Sequence, residues 1–200
     1  MKATTILVEE HNVILKVLEC TEKMVAQATE SGMLDALAAN SAIDFFRNFA
    51  DRCHHAKEED RLFIAMEEHG FPRQGGPTGV MFDEHVQGRA LVSGMAGTVA
   101  QAAAGDRRAI QTFAEHAGNF IELLRNHIAK ENNVLFPMAE QSLGGAELET
   151  MLADFKRIEA DAGGQRHAKY LEVAKELCEQ HGVAFLDRSQ YQTIAAELLA

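Results

Sequence analysis

The sequence predicts an all-α protein: an up-down-up-down four-helix bundle followed by a C-terminal helical extension. Only 3 prolines and no tryptophan occur among the 200 residues, while helix-forming alanine, leucine and glutamate are abundant. Four long segments repeat apolar residues at three- and four-residue spacing, which is the period of a buried helix face. Short or moderate connections join these segments, as is typical of antiparallel neighbours in a bundle.

The first predicted helix runs from Thr4 or Thr5, a candidate N-cap, to about Thr29, and Ser31-Gly32 ends it. His11 lies on its apolar seam, four residues after the first member and three before the next. An imidazole therefore occupies a position where a bundle helix normally buries an apolar side chain. The apolar members of this seam are Leu7, Ile14, Leu18 and Val25.

The second predicted helix runs from about Met33 to His69, where Gly70-Phe71-Pro72 stops it. Residues 70 to 77 form a loop rich in glycine and proline. A histidine and a glutamate interrupt the apolar inward face one turn apart. This face consists of Ile43, Phe46, Ala50, His54, Glu58, Leu62 and Ala65.

The third and fourth helices are predicted over Thr78 to Ala103 and Asp106 to Glu140. The third seam again contains a histidine, and the fourth contains a histidine and a glutamate. The third seam is Met81, His85, Gly88, Val92, Met95 and Val99. The fourth seam is Phe113, Phe120, Leu124, His127, Glu131 and Val134.

The periodicity weakens after Gly144-Gly145, so we predict a bundle over residues 1–143 and a C-terminal extension over residues 144–200 that packs on it. Two helices are expected in the extension, from Glu147 to Asp161 and from Gln165 to His181, separated by Gly163-Gly164, with a short last element in residues 182–200. Polar residues of the extension are expected to lie on a solvated face rather than to reach over the bundle. These are Glu159, His167 and Tyr170.

Charge and cysteine content exclude several classes of protein. The formal net charge of -11 offers no basic patch for nucleic acid or for an anionic membrane surface. The three cysteines are far apart in sequence and odd in number, with no Cys-x-x-Cys pair, so neither a disulfide framework nor a thiolate zinc site is indicated. The N-terminal residues contain no apolar signal segment and no stretch is long enough to span a bilayer. A cytoplasmic protein is expected.

Two segments, residues 53–63 and 125–137, align without a gap and carry the clearest functional signal. His54 aligns with His127 and Glu58 with Glu131, and both segments continue into Leu-Phe. Residues four apart on a helix lie on one face, about 6 Å from each other. Each segment therefore offers an imidazole and a carboxylate that point the same way.

Six polar residues on four inward-facing seams are best explained by a pair of metal ions. A buried, unpaired carboxylate costs several kcal/mol, so such groups are paired, protonated or bound to metal. Any one of these residues could be a hydrogen-bonded core group, and a metal-free polar network is the rival explanation for all of them. Imidazole and carboxylate suit iron, manganese or zinc, and the absence of thiolate disfavours copper(I) and iron–sulfur clusters. The predicted ligands are His11, His54, Glu58, His85, His127 and Glu131.

Four motifs in this order resemble the hemerythrin-like (HHE cation-binding) proteins over about residues 5 to 140. They are Glu10-His11, the run from Cys53 to Glu59, the run from Asp83 to Arg89, and the run from Leu124 to Pro137. The resemblance implies two iron ions with an oxo or hydroxo bridge, four histidines as terminal ligands, and an open position for O2, NO or peroxide. It also implies that Glu58 and Glu131 bridge the irons. Apolar neighbours such as Ile14, Met81 and Leu124 would line the open position.

Two departures from oxygen-carrying hemerythrins shape the expected function. Those proteins have a second histidine one turn after the third-helix histidine, where this chain has Arg89, and a more distant aspartate where this chain has Glu131. One ligand fewer leaves a more open pair of ions, which favours binding or sensing of O2, NO or peroxide over reversible oxygen carriage. The alternative is an enzyme or iron donor of oxidative or nitrosative stress, which removes peroxide or repairs iron centres.

Residues next to the motifs are given smaller roles. His55 lies about 100° around an α-helix from His54, so it is expected to be solvated or to orient a ligand. Replacement of His55 by alanine is therefore expected to leave the metal content near normal. Glu59 and Glu84 are expected to face solvent or to orient ligating imidazoles. Arg89 is expected to pair with a bridging carboxylate, to attract an anion, or to lie on the surface. Structural roles are expected for Cys53, His69 and His181.

Overall fold

A computed structural model describes residues 2–161 and 166–197 of the chain. The regular structure of these residues is entirely helical, so the predicted all-α class is confirmed. The predicted break at Gly163-Gly164 lies outside the described residues.

Four long helices form the first part of the molecule. Helix α1 is Ala3–Ser31, α2 covers residues 36–68, α3 is Pro77–Ala103, and α4 covers residues 107–142. Asp35 and Asp106 cap α2 and α4, because each side chain accepts hydrogen bonds from two backbone amides of the first turn.

The predicted N-cap of α1 at Thr4 or Thr5 is wrong. Helix α1 begins directly after Lys2, whose side chain makes no capping hydrogen bond. The Thr4 hydroxyl instead donates to Glu140 of α4 at 2.6 Å. The Thr4 hydroxyl, which the sequence pattern assigned to a helix cap, thus makes a tertiary contact instead.

Wider π-helical turns interrupt α2 over Phe46–His55 and Glu58–Leu62, and α4 over Glu131–Leu135. Such turns within α-helices are frequently found at functional sites. They also shift the inward face beyond them by one residue. Leu135 is 2% exposed whereas the predicted seam residue Val134 is 54% exposed, and Met66 rather than Ala65 is fully buried.

Neighbouring long helices are antiparallel, because the hydrogen-bonded or ion-paired residues run in opposite order along them. Between α1 and α4 the pairs are Thr4–Glu140, His11–Asn132 and Glu22–Arg125. Between α2 and α3 they are Asp51–Arg89 and Glu59–His85. Between α3 and α4 they are Glu84–Lys130 and His85–His127. This arrangement places the motif segments of all four helices at one level.

The C-terminal extension consists of α5 (Gly145–Asp161), α6 (Arg166–His181), a 3-10 turn (Arg188–Tyr191) and α7 (Gln192–Glu197). Helix α6 packs on α1 and α2, while α7 and the 3-10 turn pack on α1. Apolar residues of the extension join the main hydrophobic cluster of the bundle. Among them are Tyr170, Leu171, Ala174 and Leu177. The extension therefore shares a core with the bundle, and the division at residue 143 stays a prediction.

Packing of the extension buries α1 on more than its predicted seam. Glu9 is 6% exposed and accepts hydrogen bonds from the backbone amides of Thr193 and Ile194 in α7. The free thiols of Cys20 and Cys178, distant in sequence, lie 3.6 Å apart between α1 and α6. None of the helices in the described ranges is long and apolar enough to cross a membrane.

Candidate metal centre

The six residues predicted as metal ligands converge inside the bundle. Each of them is at most 2% exposed. They come from all four long helices, and the three wide turns of α2 and α4 contain three of them. These six residues are His11, His54, Glu58, His85, His127 and Glu131.

Together with His55, these residues form two groups, in each of which all potential ligand atoms lie within 4.8 Å of one another. One group consists of His11, His54, Glu58 and Glu131. The other consists of His55, Glu58, His85 and His127. Each group is large enough to hold a metal ion, and Glu58 belongs to both.

Both carboxylates divide their oxygens between the two histidine sets. Glu131 Oε2 lies 3.2 Å from His11 Nε2, while its Oε1 lies 3.2 Å from His127 Nε2. Glu58 Oε1 lies 3.5 Å from His54 Nε2, and its Oε2 lies 3.6 Å from His85 Nε2. Each carboxylate therefore has one oxygen directed at each set, which is the arrangement needed to bridge two cations.

Most of the inward-facing polar atoms lack hydrogen-bond partners, although nearly all buried polar groups in proteins have one. The Nε2 atoms of His85 and His127 differ, because they lie 3.1 Å from each other. The atoms without a partner include Nε2 of His11 and His54 and all four oxygens of Glu58 and Glu131. These six buried nitrogen and oxygen atoms face one another without hydrogen bonds. Such an arrangement fits a bound cation better than a metal-free polar network. Nitrogen and carboxylate oxygen together suit iron, manganese or zinc.

The electrostatics of the centre also favour a cation. Burial and the neighbouring charge of Glu131 raise the pKa of Glu58 well above its usual value. Burial acts in the same direction on Glu131, but the imidazoles of His127 and His11 hold the pKa of that carboxyl well below its usual value. Two adjacent buried carboxylates are thus not both charged without added positive charge, which metal ions would supply.

The Nδ1 atom of each predicted histidine ligand is hydrogen-bonded to a neighbouring side chain. The Nδ1–H group of His11 donates to Asn132 Oδ1 at 2.8 Å, and that of His54 donates to Glu10 Oε2 at 2.8 Å. The Nδ1–H group of His85 donates to Glu59 Oε1 at 2.7 Å, and that of His127 donates to Glu84 Oε2 at 2.8 Å. Such partners fix the tautomer that leaves Nε2 free to bind metal. The sequence indicated this role for Glu59 and Glu84, but it missed Asn132 and Glu10. Each lies in one of the four motifs, directly beside a predicted ligand, but the sequence does not show which histidine it contacts.

The structure does not bear out the expectation that His55 lies outside the ligand groups. Its side chain is buried, its ring stacks on that of His85 with centroids 3.7 Å apart, and neither ring nitrogen has a hydrogen-bond partner. Asp51 Oδ1 is 3.5 Å from its Nδ1. The 100° angle assumed for neighbouring residues applies to an α-helix, whereas the segment Phe46–His55 is π-helical and has more residues per turn. His54 and His55 consequently both face inward.

Arg89 contacts the carboxylates of Asp51 and Glu59, not a carboxylate predicted to bridge the metal ions. Its guanidinium lies 2.7 Å from Asp51 and 2.7 Å from Glu59. Those carboxylates are the neighbours of His55 and His85. At the position where oxygen-carrying hemerythrins have a ligand, this chain thus has a residue that holds two supporting acids in place.

A second buried polar cluster lies beside the centre, and it corrects the prediction that Glu159, His167 and Tyr170 face solvent. They are 6%, 2% and 4% exposed. Glu159 contacts Lys57 and His167 contacts Glu10. The Tyr170 hydroxyl donates to Asp44 at 2.9 Å. The sequence pattern could not show this, because the contacts depend on how the extension folds back onto α1 and α2.

We expect Glu84→Ala to weaken metal binding about 10- to 100-fold, because His127 then loses the acceptor that orients its ring. Titration of the metal-free protein with cobalt(II) measures the affinity. Asp83→Ala, which changes the preceding exposed acid, is the matched control. Equal affinities of the two variants would show that Glu84 does not support the ligand.

Comparison with known proteins agrees with this geometry. The family model of the hemerythrin HHE cation binding domain matches residues 2–139. Uncharacterized proteins of Mycobacterium tuberculosis and Mycobacterium bovis are 25% identical over 186 residues, which covers 92% of this chain and 71% of theirs. No solved structure matches the chain. The match to the family model spans more than half of the sequence and all four long helices of the centre, and the chain therefore belongs to the hemerythrin HHE cation binding domain family.

Proposed function

We propose that the protein binds two iron ions at this centre and there binds or senses O2, NO or peroxide. The observation that carries the proposal is the division of the Glu58 and Glu131 oxygens between two sets of histidines. Membership of a cation-binding family supports a metal at this place.

The proposed ligands comprise the six residues predicted from the sequence and His55. His11 and His54 would bind one ion, and His55, His85 and His127 the other. Glu58 and Glu131 would bridge them. The set with two histidines offers fewer donors than the set with three, so we place the open position for a small ligand there.

Bound iron would supply a redox-active Lewis acid for O2, NO or peroxide. The side chains orient the ligands and keep bulk water out. The ring of Phe136 stacks on His11 with centroids 5.6 Å apart, and the ring of Phe63 stacks on His85 at 6.0 Å. A dry, apolar surround of this kind controls solvent access to a metal site.

The second candidate, an enzyme or iron donor, is favoured by one specific feature. Glu59 and Glu84 contact histidines of the centre while their side chains remain 19% and 15% exposed. These carboxylates therefore contact both the buried histidines and the solvent. A proton relay for peroxide removal would need such a connection.

Spectroscopy of the iron-loaded protein distinguishes the candidates. We expect absorption bands of a bridged iron pair that shift when azide is added. A stoichiometric spectral change with NO or peroxide, without turnover, would select the binding or sensing role. Steady consumption of peroxide, or transfer of iron to a metal-free acceptor protein, would select the second. Less than about a tenth of an equivalent of transition metal per chain after iron loading would contradict both, since a site of this kind binds metal tightly.

A further inference from the structure

We propose that His167 and Glu159, both from the C-terminal extension, are positioning residues for His54. His167 contacts the Glu10 carboxylate that accepts a hydrogen bond from the His54 ring, and Glu159 orients His167. The inference rests on the proposed function, because His54 is one of the proposed ligands.

Glu10 connects the metal centre with the extension. Its carboxylate is fully buried, and Oε2 lies 2.8 Å from His54 Nδ1. The other oxygen, Oε1, lies 2.5 Å from Lys57 Nζ and 2.7 Å from His167 Nε2. One side chain therefore contacts a proposed ligand with one oxygen and the extension with the other.

Glu159 holds His167 in the orientation that this contact requires. Glu159 Oε2 lies 2.8 Å from His167 Nδ1, and Glu159 Oε1 lies 2.8 Å from Lys57 Nζ. Both nitrogens of the His167 ring thus face a carboxylate, and the ring cannot rotate without losing both contacts. Lys57, from α2, forms ion pairs with the carboxylates of both Glu10 and Glu159.

The four groups form a charge-balanced set in which neither acid is left without a cation. Burial alone would lower the pKa of His167, but the neighbouring Cys53, Glu10 and Glu159 raise it well above its usual value. Burial alone would raise the pKa of Glu159, but His167 and Lys57 lower it to about 2. Truncating His167 leaves two buried carboxylates to share one ammonium, and Glu10 then has less to fix its orientation.

Close spacing of Glu10, Cys53, Glu159 and His167 also raises the question of a further metal ion. The Lys57 ammonium already lies 2.5 Å from Glu10, 2.8 Å from Glu159 and 3.1 Å from Cys53 Sγ. It occupies the place that a cation would take. The cluster is thus better suited to orienting Glu10 than to binding metal.

Glu159 and His167 lie beyond residues 2–139, which the family model matches. Family membership alone therefore does not predict that the extension acts on the metal centre. The match to the mycobacterial relatives covers 92% of this chain and so includes most of the extension.

The direct test observes the His54 ring in the full-length, metal-free protein by NMR of 15N-labelled histidines. In the wild type we expect His54 to be held as the Nδ1–H tautomer. In His167→Gln we expect that signal to broaden or to give way to a mixture of tautomers. Tyr170→Phe is the matched control, because it removes a different hydrogen bond of the same helix, which is only partly buried, and should leave the His54 signal unchanged.

Cobalt(II) titration of the same proteins measures the consequence for metal binding. We expect His167→Gln to weaken one of two binding steps about 10- to 100-fold and to leave the other near its wild-type value. Glu10→Gln should weaken the same step. The double variant should lose less than the sum of the two single effects, because His167 acts through Glu10.

An unchanged His54 signal in His167→Gln, or additive effects with Glu10→Gln, would overturn the inference even if the wild type binds two ions. If the wild type binds no cobalt, the proposed function fails, and the NMR result still decides whether His167 positions His54. Should His167→Gln not fold, Glu159→Ala serves in its place, since it removes the acceptor at His167 Nδ1 and retains the ring.

Discussion

Replacing Glu131 by alanine is expected to remove metal from both positions of the centre. Its two oxygens lie 3.2 Å from His11 and 3.2 Å from His127, which belong to different ligand groups. Loss of a shared bridge therefore weakens both ions together, and metal content after iron loading should fall from about two to less than about 0.1 equivalents per chain. Elemental analysis of the purified variant measures this.

The matched control for Glu131→Ala is Glu122→Ala, which changes an exposed glutamate of the same helix. This variant should retain the wild-type metal content. If Glu131→Ala retained one full equivalent, Glu131 would belong to a single ion and the shared-bridge arrangement would be wrong.

Replacing His55 by alanine is expected to reduce metal content from about two to about one equivalent per chain, since one ligand group loses a donor. The sequence alone predicted no loss. In the structure the buried His55 ring stacks on His85, and its nitrogens lie with those of His85 and His127. The position formed by His11 and His54 should keep its ion.

Elemental analysis and the Mössbauer spectrum of 57Fe-loaded protein measure the effect of His55→Ala. The control is His69→Ala, which changes a histidine at the exposed end of the same helix. Normal metal content and two unchanged iron signals in His55→Ala would mean that the stack on His85 serves packing only.

The residues of the centre were predictable because their sequence signal is local. Each histidine replaces an apolar residue on a helical seam, and the repeated frame of His54 with Glu58 and His127 with Glu131 adds a carboxylate one turn away. Burial of these residues follows from the same periodicity that predicts the helices. The third seam is buried at every predicted position.

Local signals failed where the helix geometry itself changes. A period of 3.6 residues assigned Val134 to the core and His55 to the outside. The wide turns Glu131–Leu135 and Phe46–His55 instead bury Leu135 and turn His55 inward. Nothing in a hydrophobic pattern distinguishes a π-helical turn from an α-helical one.

Contacts between distant segments were also beyond the sequence pattern. Glu159 and His167 look like ordinary polar residues of amphipathic helices. In the structure His167 contacts Glu10 and Glu159 contacts Lys57, and both contacts join residues far apart in sequence. Thr4 looks like a helix cap but bonds to Glu140. In each case the partner is chosen by how the helices pack, which a single sequence does not reveal.

In the proposed centre, two cations share the carboxylates of Glu58 and Glu131 between two sets of histidines. Anomalous diffraction at the iron absorption edge, from crystals of the iron-loaded full-length protein, tests it most directly. We expect two anomalous peaks, one beside His11 and His54 and one beside His55, His85 and His127, with a bridging carboxylate oxygen on each. A single peak, or iron bound elsewhere while these side chains remain bonded only to one another, would contradict it.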